Sequence, residues 1–187
     1  MKRNLVAFLF LISIHHVSFG QEGTLPLDSK NNASFSDLGS VKKPKDVLFQ
    51  DAQKWVVKTF GNYENAVASA NKEDGKLVLS TYAPVSSAAY EYLRMTMIID
   101  CRDENYKVSV TDLEGIAKSQ TITRLGKRQN DAIHEKAVLV KTESNRKKKT
   151  IAENELEEMK SDNDRVSETV YSLLASLKQM MVSDPEN

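Results

Sequence analysis

The sequence predicts an α+β domain: a curved antiparallel sheet covered on one face by two helices. The elements run strand, helix, four strands, helix, with a charged insertion before the last helix. Three observations predict this. Between Leu93 and Thr111 apolar and polar residues alternate, the period of a strand with one buried side. From Lys45 to Phe60, and again near the C-terminus, apolar residues return every three or four positions, as on a helix with one buried stripe. Gly75 and the run Asp103-Glu104-Asn105 stand where two hairpins need their turns.

The first twenty residues read as a cleavable secretory signal. Lys2 and Arg3 supply a positive start, Leu5 to Ile14 an apolar stretch, and Ser18-Phe19-Gly20 the small residues that a peptidase needs before a cut at Gly20-Gln21. A membrane-spanning helix needs roughly 18 apolar residues, and His15 and His16 end this stretch well short of that. Gln21 leaves no cysteine for a lipid anchor at the cut. The expected product is secreted or periplasmic, with no stable membrane anchor. Residues 21–34 are polar, punctuated by Gly23, Pro26 and Asn31-Asn32, and read as a flexible leader.

Phe35 to Val41 is expected as a short first strand. Pro44 suits a helix start because its missing N–H would be unpaired there. Leu48, Ala52, Trp55, Val56 and Phe60 then share one helical face, and Gly61-Asn62 ends it, with Trp55 as a core anchor. Ala66 to Asn71 and Lys76 to Ala83 flank Glu73-Asp74-Gly75 as the first hairpin. In the second, Leu93, Met95, Met97, Ile99 and Cys101, then Tyr106, Val108 and Val110, form the buried face.

Residues 116–160 read as a charged, solvated insertion, basic over Lys141 to Lys149 and acidic over Glu153 to Glu158. Leu156, Met159, Asn163, Val166, Val170, Leu173, Leu177 and Met180 could form one heptad seam for self-association. The favoured reading breaks the helix at Ser161-Asp162-Asn163-Asp164, good capping residues. A helix within 161–183 then packs on the sheet through Val166, Val170, Leu173, Leu174, Leu177 and Met181, completing the domain begun at residues 35–115.

With these elements in place, the chain resembles a family of small secreted Bacteroidota proteins with an uncharacterised domain of TATA-binding-protein-like fold. The residues that carry the resemblance are Ala52-Gln53-Lys54-Trp55 with Lys58-Thr59-Phe60, the turn Glu73-Asp74-Gly75-Lys76, and Met97 to Tyr106 leading into Thr111-Asp112-Leu113. It spans about Phe35 to Gly115, and the charged stretch departs from the compact pattern. The resemblance implies the fold and an envelope location. It implies no activity and no catalytic residues, and the fold's name implies no DNA binding, because function belongs to sites.

The residue inventory argues against most chemistry. Without its first twenty residues the chain has 24 basic and 26 acidic side chains, which gives no electrostatic reason to expect nucleic acid or an anionic membrane. Cys101 is the only cysteine, so no internal disulfide is available and stability must come from an apolar core. One Cys and one remaining histidine, His134, make a tetrahedral zinc site improbable. Cys101 falls on an apolar strand face, where its thiolate is disfavoured, and the seven scattered glycines form no phosphate loop. Asp100 and Asp112 are the conceivable carboxylate pair on neighbouring strands. No catalytic, metal or cofactor residues are assigned.

That leaves binding. If the helices cover one face, the other displays Arg94, Thr96, Ile98, Asp100, Arg102, Lys107, Ser109 and Thr111, with Val78 and Tyr82. Tyr82, Arg94, Thr96, Ile98, Lys107 and Thr111 are the candidate contact residues, because apolar groups gathered on an open face mark contact sites. The expected function is that of a non-catalytic, exported accessory or binding domain whose partner is an envelope protein, a peptide or a glycan. The alternative is a structural protein that oligomerises through its C-terminal helix, and an enzyme of unknown type is more distant.

Overall fold

The computed structural model describes residues 23–183; the expected signal peptide and its cleavage point lie outside the described residues. The elements are β1 (Phe35–Ser40), α1 (Lys45–Phe60), α2 (Tyr63–Ala66), β2 (Val67–Asn71), β3 (Lys76–Pro84), β4 (Tyr92–Arg102), β5 (Asn105–Ile116), β6 (Ile122–Arg124), α3 (Lys127–Thr142) and α4 (Arg146–Val182). The fold is α+β, with a six-stranded antiparallel sheet of order β1-β5-β4-β3-β2. β4 takes one edge of β5 along its length, so β1 and β6 share the other edge end to end.

The alternating pattern sets the sheet's two faces. Leu77, Leu79, Leu93, Met95, Met97, Ile99, Cys101, Tyr106, Val108 and Val110 are all buried, at 1% exposure or less. Gly75 adopts φ +66° in the first hairpin, and a Cβ there would meet the Cys101 carbonyl oxygen at 2.3 Å, so only glycine fits. One residue breaks the alternation. Asp112 takes φ +51° at a register shift between β4 and β5, a bulge that turns Leu113 inward and Glu114 outward.

α1 follows Pro44 as the sequence predicts, with Asp46 in its first turn and Lys58 in its last, each complementing the helix dipole. It buries Leu48, Phe49, Ala52, Trp55 and Val56 against β3 and β4. At about 1.5–3 kcal/mol per large apolar side chain, this stripe dominates the helix's docking. α4 covers the rest of the sheet through Val166, Val170, Leu174, Leu177 and Met181, packing on α1 and β1. Trp55 Nε1 donates to Ser176 Oγ at 2.9 Å, tying the two helices together. Lys43 donates to Asp51 at 2.9 Å and to the Ser183 carbonyl, which ties the end of α4 to the start of α1.

Three expectations are corrected. Residues 23–34 are not a flexible leader: Leu25 and Ala33 are buried at 3% and 0% exposure. Amide side chains hold the segment as a neighbouring strand would. Asn130 accepts from Leu25 N at 2.9 Å and donates to Leu25 O at 2.8 Å, and Asn163 donates to Gly23 O at 2.8 Å. The charged stretch 116–160 is not a solvated insertion but forms β6, α3 and the first half of α4, with α3 packed antiparallel against α4. Finally, α4 does not break at residues 161–164 but runs unbroken for 37 residues, about 55 Å.

The reason for the third is specific. Asp162, Asn163 and Asp164 do not cap their own helix. Asp162 Oδ1 accepts from Ser87 Oγ at 2.6 Å, Ala88 N at 2.9 Å and Ala89 N at 3.2 Å, and Asp164 accepts from Gly23 N at 2.9 Å. Their capping capacity is spent on other segments, so the helix continues through them. The seam from Leu156 to Met180 is likewise used within the chain, with Val166, Val170 and Leu177 fully buried.

Candidate functional site

The helices leave one sheet face open. Reading across the strands gives its composition row by row. Pro84, Tyr92, Ile116 and Ile122 are paired in sequence from β3 to β6 and form an apolar row at one end. Next comes Tyr82, Arg94, Glu114 and Arg124. Ser80, Thr96 and Thr111 form a hydroxyl row, followed by Ser69, Val78, Ile98, Ser109 and Ser36. At the far end lie Asn71, Lys76, Asp100, Lys107 and Leu38. Residues directly opposite in an antiparallel pair point to the same face, which is why these rows are contiguous.

All six predicted contact residues, Tyr82, Arg94, Thr96, Ile98, Lys107 and Thr111, lie on this face. Their exposures differ. Tyr82 is 52% exposed, whereas Ile98, Thr96 and Thr111 are half-buried by their neighbours. Arg94 Nε donates to Glu114 Oε2 at 2.7 Å, and its Nη2 approaches the same oxygen. The Glu114 carboxylate, with Tyr82 as a second hydrogen-bonding neighbour, pushes the Arg94 pKa further up. Arg124 pairs with Asp112 at 2.8 Å, and Arg102 with Asp100 at 2.8 Å.

Four contributors escaped the sequence reading. Glu114 and Ile116 were hidden by the bulge at Asp112, which inverts the alternation after Thr111. Ile122 and Arg124 sit on β6, a three-residue strand with no periodic signal of its own. Tyr92 was legible, since it precedes Leu93 in the same alternation as Arg94. It is 43% exposed and Ile122 is 52% exposed.

The inventory of reactive groups is dispersed. Asp100 and Asp112 are not a pair: Asp100 faces Lys107 across the strands, and Asp112 sits at the bulge beside Arg124. Cys101 is fully buried, and desolvation, with smaller contributions from Asp100 and Asp51, pushes its thiol up to about 12. His134 lies exposed on α3. No group of three or more His, Cys, Asp or Glu among the described residues is placed to hold a metal ion.

A cleft of about 230 Å³ lies elsewhere, between the 85–91 connection, α3 and α4, lined by Tyr90, Arg128, Gln129, Met159 and Asp162 among others. It is smaller than the roughly 300 Å³ at which ligand sites begin. Its polar walls are occupied by the fold itself. Asp162 accepts from the Ser87 hydroxyl and the Ala88 and Ala89 amides, and Gln129 Oε1 accepts from Gly126 N at 2.8 Å at the start of α3. Burial, then the Asp162 charge, raises the Tyr90 phenol above its ordinary value.

Comparisons with known proteins agree with this architecture. No curated protein matches the chain. A TBP-like protein from Parabacteroides distasonis superposes with a TM-score of 0.50 at 14% identity, covering 82% of this chain and 96% of the other. A DUF4468 family protein from Bacteroides ovatus gives 0.51 at 13% identity, covering 87% and 94%. Both likenesses extend past the central sheet. The family model described as a domain of unknown function with TBP-like fold matches residues 37–115. That segment, from β1 to β5, is similar to the DUF4468 family, and the chain has the TBP-like fold.

Proposed function

We propose that this chain is a non-catalytic, exported binding module of the cell envelope, and that it takes a protein or peptide partner on its open sheet face. The observation that carries the reading is the row Pro84, Tyr92, Ile116 and Ile122 beside Tyr82, with three of these side chains 43–52% exposed. An aromatic and aliphatic strip bordered by the Arg94–Glu114 pair combines an apolar contact with a directional polar rim, the composition of a protein contact surface. The cations Arg94, Arg102 and Arg124 are each matched by a carboxylate on this face, which disfavours a polyphosphate backbone as partner. Burial of Cys101 with its raised thiol pKa supports the non-catalytic half of the reading.

The test is site-specific crosslinking in the source cells. A photoreactive residue at Tyr92 or Ile122 is expected to give a discrete adduct, and one at exposed Lys58 on α1 none. Adducts should weaken at least tenfold in a Tyr82→Ala/Arg94→Ala background of unchanged melting temperature. Equal labelling from both faces, or undiminished labelling in that background, removes the open face from consideration.

A further inference from the structure

The sequence-wide charge balance conceals a local excess at the tip of the α3–α4 hairpin. Lys141 ends α3, and Arg146, Lys147, Lys148 and Lys149 open α4, with only Glu143 among them. None of the five cations has an ion-pair partner among the described residues, although carboxylates elsewhere on the hairpin are paired, as in Lys136–Glu155 at 2.7 Å and Lys127–Asp131. Glu143 is committed to the connecting turn, where it accepts from Asn145 N at 2.7 Å. The remaining nearby carboxylates, Glu135, Glu153 and Glu155, lie a turn or more back from the tip. Four cations in the first turn of α4 also oppose that helix's own dipole, so the arrangement does not serve the helix.

Three aliphatic side chains near these charges are also exposed. Val138, Leu139 and Ile151 are 47%, 44% and 50% exposed, all within about two turns of the tip. The tip stands clear of the core: Lys147 is sixteen residues, about 24 Å along the helix, from buried Asn163. No Phe, Tyr or Trp lies between Tyr106 and Tyr171, so the tip lacks the large aromatic rings on which proteins stack nucleic-acid bases. Unpaired cations bordered by aliphatic side chains are instead the composition of a surface that docks on an anionic bilayer, with the charges at the headgroups and the aliphatics at the acyl boundary.

We propose that the α3–α4 tip is a reversible docking site for an anionic phospholipid surface. It is independent of the open sheet face, whose apolar row lies on β3 to β6. The experiment uses residues 21–187, which contain every described contact, in co-sedimentation with phosphatidylcholine vesicles with and without roughly one-third phosphatidylglycerol. Binding is expected only to the anionic vesicles, and is expected to fall with added salt. The triple variant Lys147→Glu/Lys148→Glu/Lys149→Glu should lower the partition coefficient at least about a hundredfold, from roughly fivefold per cation removed with repulsion by the new carboxylates in addition. Its melting temperature should be unchanged or higher, because carboxylates suit a helix start. Leu139→Ser/Ile151→Ser should leave the salt dependence intact and weaken binding several-fold. Absence of binding to anionic vesicles, equal binding by the triple variant, or retention on heparin without vesicle binding would each overturn the proposal.

Discussion

Tyr106 presents the sharpest local tension in the molecule. Its ring fills the space above Gly39, where a Cβ would meet the ring at 2.2 Å, and its hydroxyl is buried with no hydrogen-bond partner. An unpaired buried hydroxyl costs about 1–3 kcal/mol, so Tyr106→Phe is expected to leave stability unchanged or raise it, whereas Gly39→Ala should cost about 1–3 kcal/mol by overpacking. Urea denaturation measures both, and a marked loss in Tyr106→Phe would reveal a partner for the hydroxyl. Burial raises both Tyr106 and Cys101, each to about 12. The unfolded groups ionise at about 10 and about 9, so above those values the unfolded state sheds protons that the folded state keeps. Their contribution is therefore fully present below about pH 9 and is lost as pH rises towards 12. Cys101→Val should flatten the first part of that alkaline decline in thermal melts, with a slope change of up to about 1.4 kcal/mol per pH unit.

Single polar side chains decide the fate of whole elements here. In the segment 23–34, Asn130 and Asn163 supply backbone partners to Leu25 and Gly23, while Ala33 N donates to Leu125 O and Asn31 O accepts from Lys127 N. Asn163→Ala combined with Asn130→Ala should free the start of this segment, seen as rapid amide exchange at Gly23 and Leu25, with Ala33 still held by Leu125. Exchange in β4 and β5 should stay slow, at a global cost of about 1–3 kcal/mol per lost site. If Leu25 stays protected in that variant, burial of its side chain suffices and the amide ladder is incidental. Asp162 plays the same part for the 85–91 connection, through the amides of Ala88 and Ala89.

For the molecule as a whole, α4 is both lid and scaffold. Its last two thirds close the core, and its first third carries α3 and the cationic tip. Truncation after Lys160 removes Val166, Val170, Leu174, Leu177 and Met181, all buried at 5% exposure or less. At about 1.5–3 kcal/mol per side chain the loss is comparable to the whole stability of a typical domain. The truncated chain is expected to lose cooperative melting and near-ultraviolet circular dichroism. A folded monomer after that cut would show that the seam serves association instead of the core.

The sheet could be read from the chain because strand alternation is a local property. Leu93 to Val110 declare their buried side residue by residue, and Leu48 to Val56 declare a helix stripe, whatever surrounds them. The open face followed as the complement of that pattern, which is why Tyr82, Arg94 and Lys107 were found. Its apolar end was not, because a positive φ at Asp112 reverses the faces for Glu114 and Ile116, and three residues of β6 carry no period. The unbroken α4 was equally out of reach. Asp162, Asn163 and Asp164 are helix breakers by intrinsic preference, and only the arrival of Ser87, Ala88, Ala89 and Gly23 gives their side chains other partners. Periodicity along the chain determined which side chains are buried. Where polar side chains find their partners was decided in three dimensions, because a hydrogen bond depends on which segments meet and not on their order in the sequence.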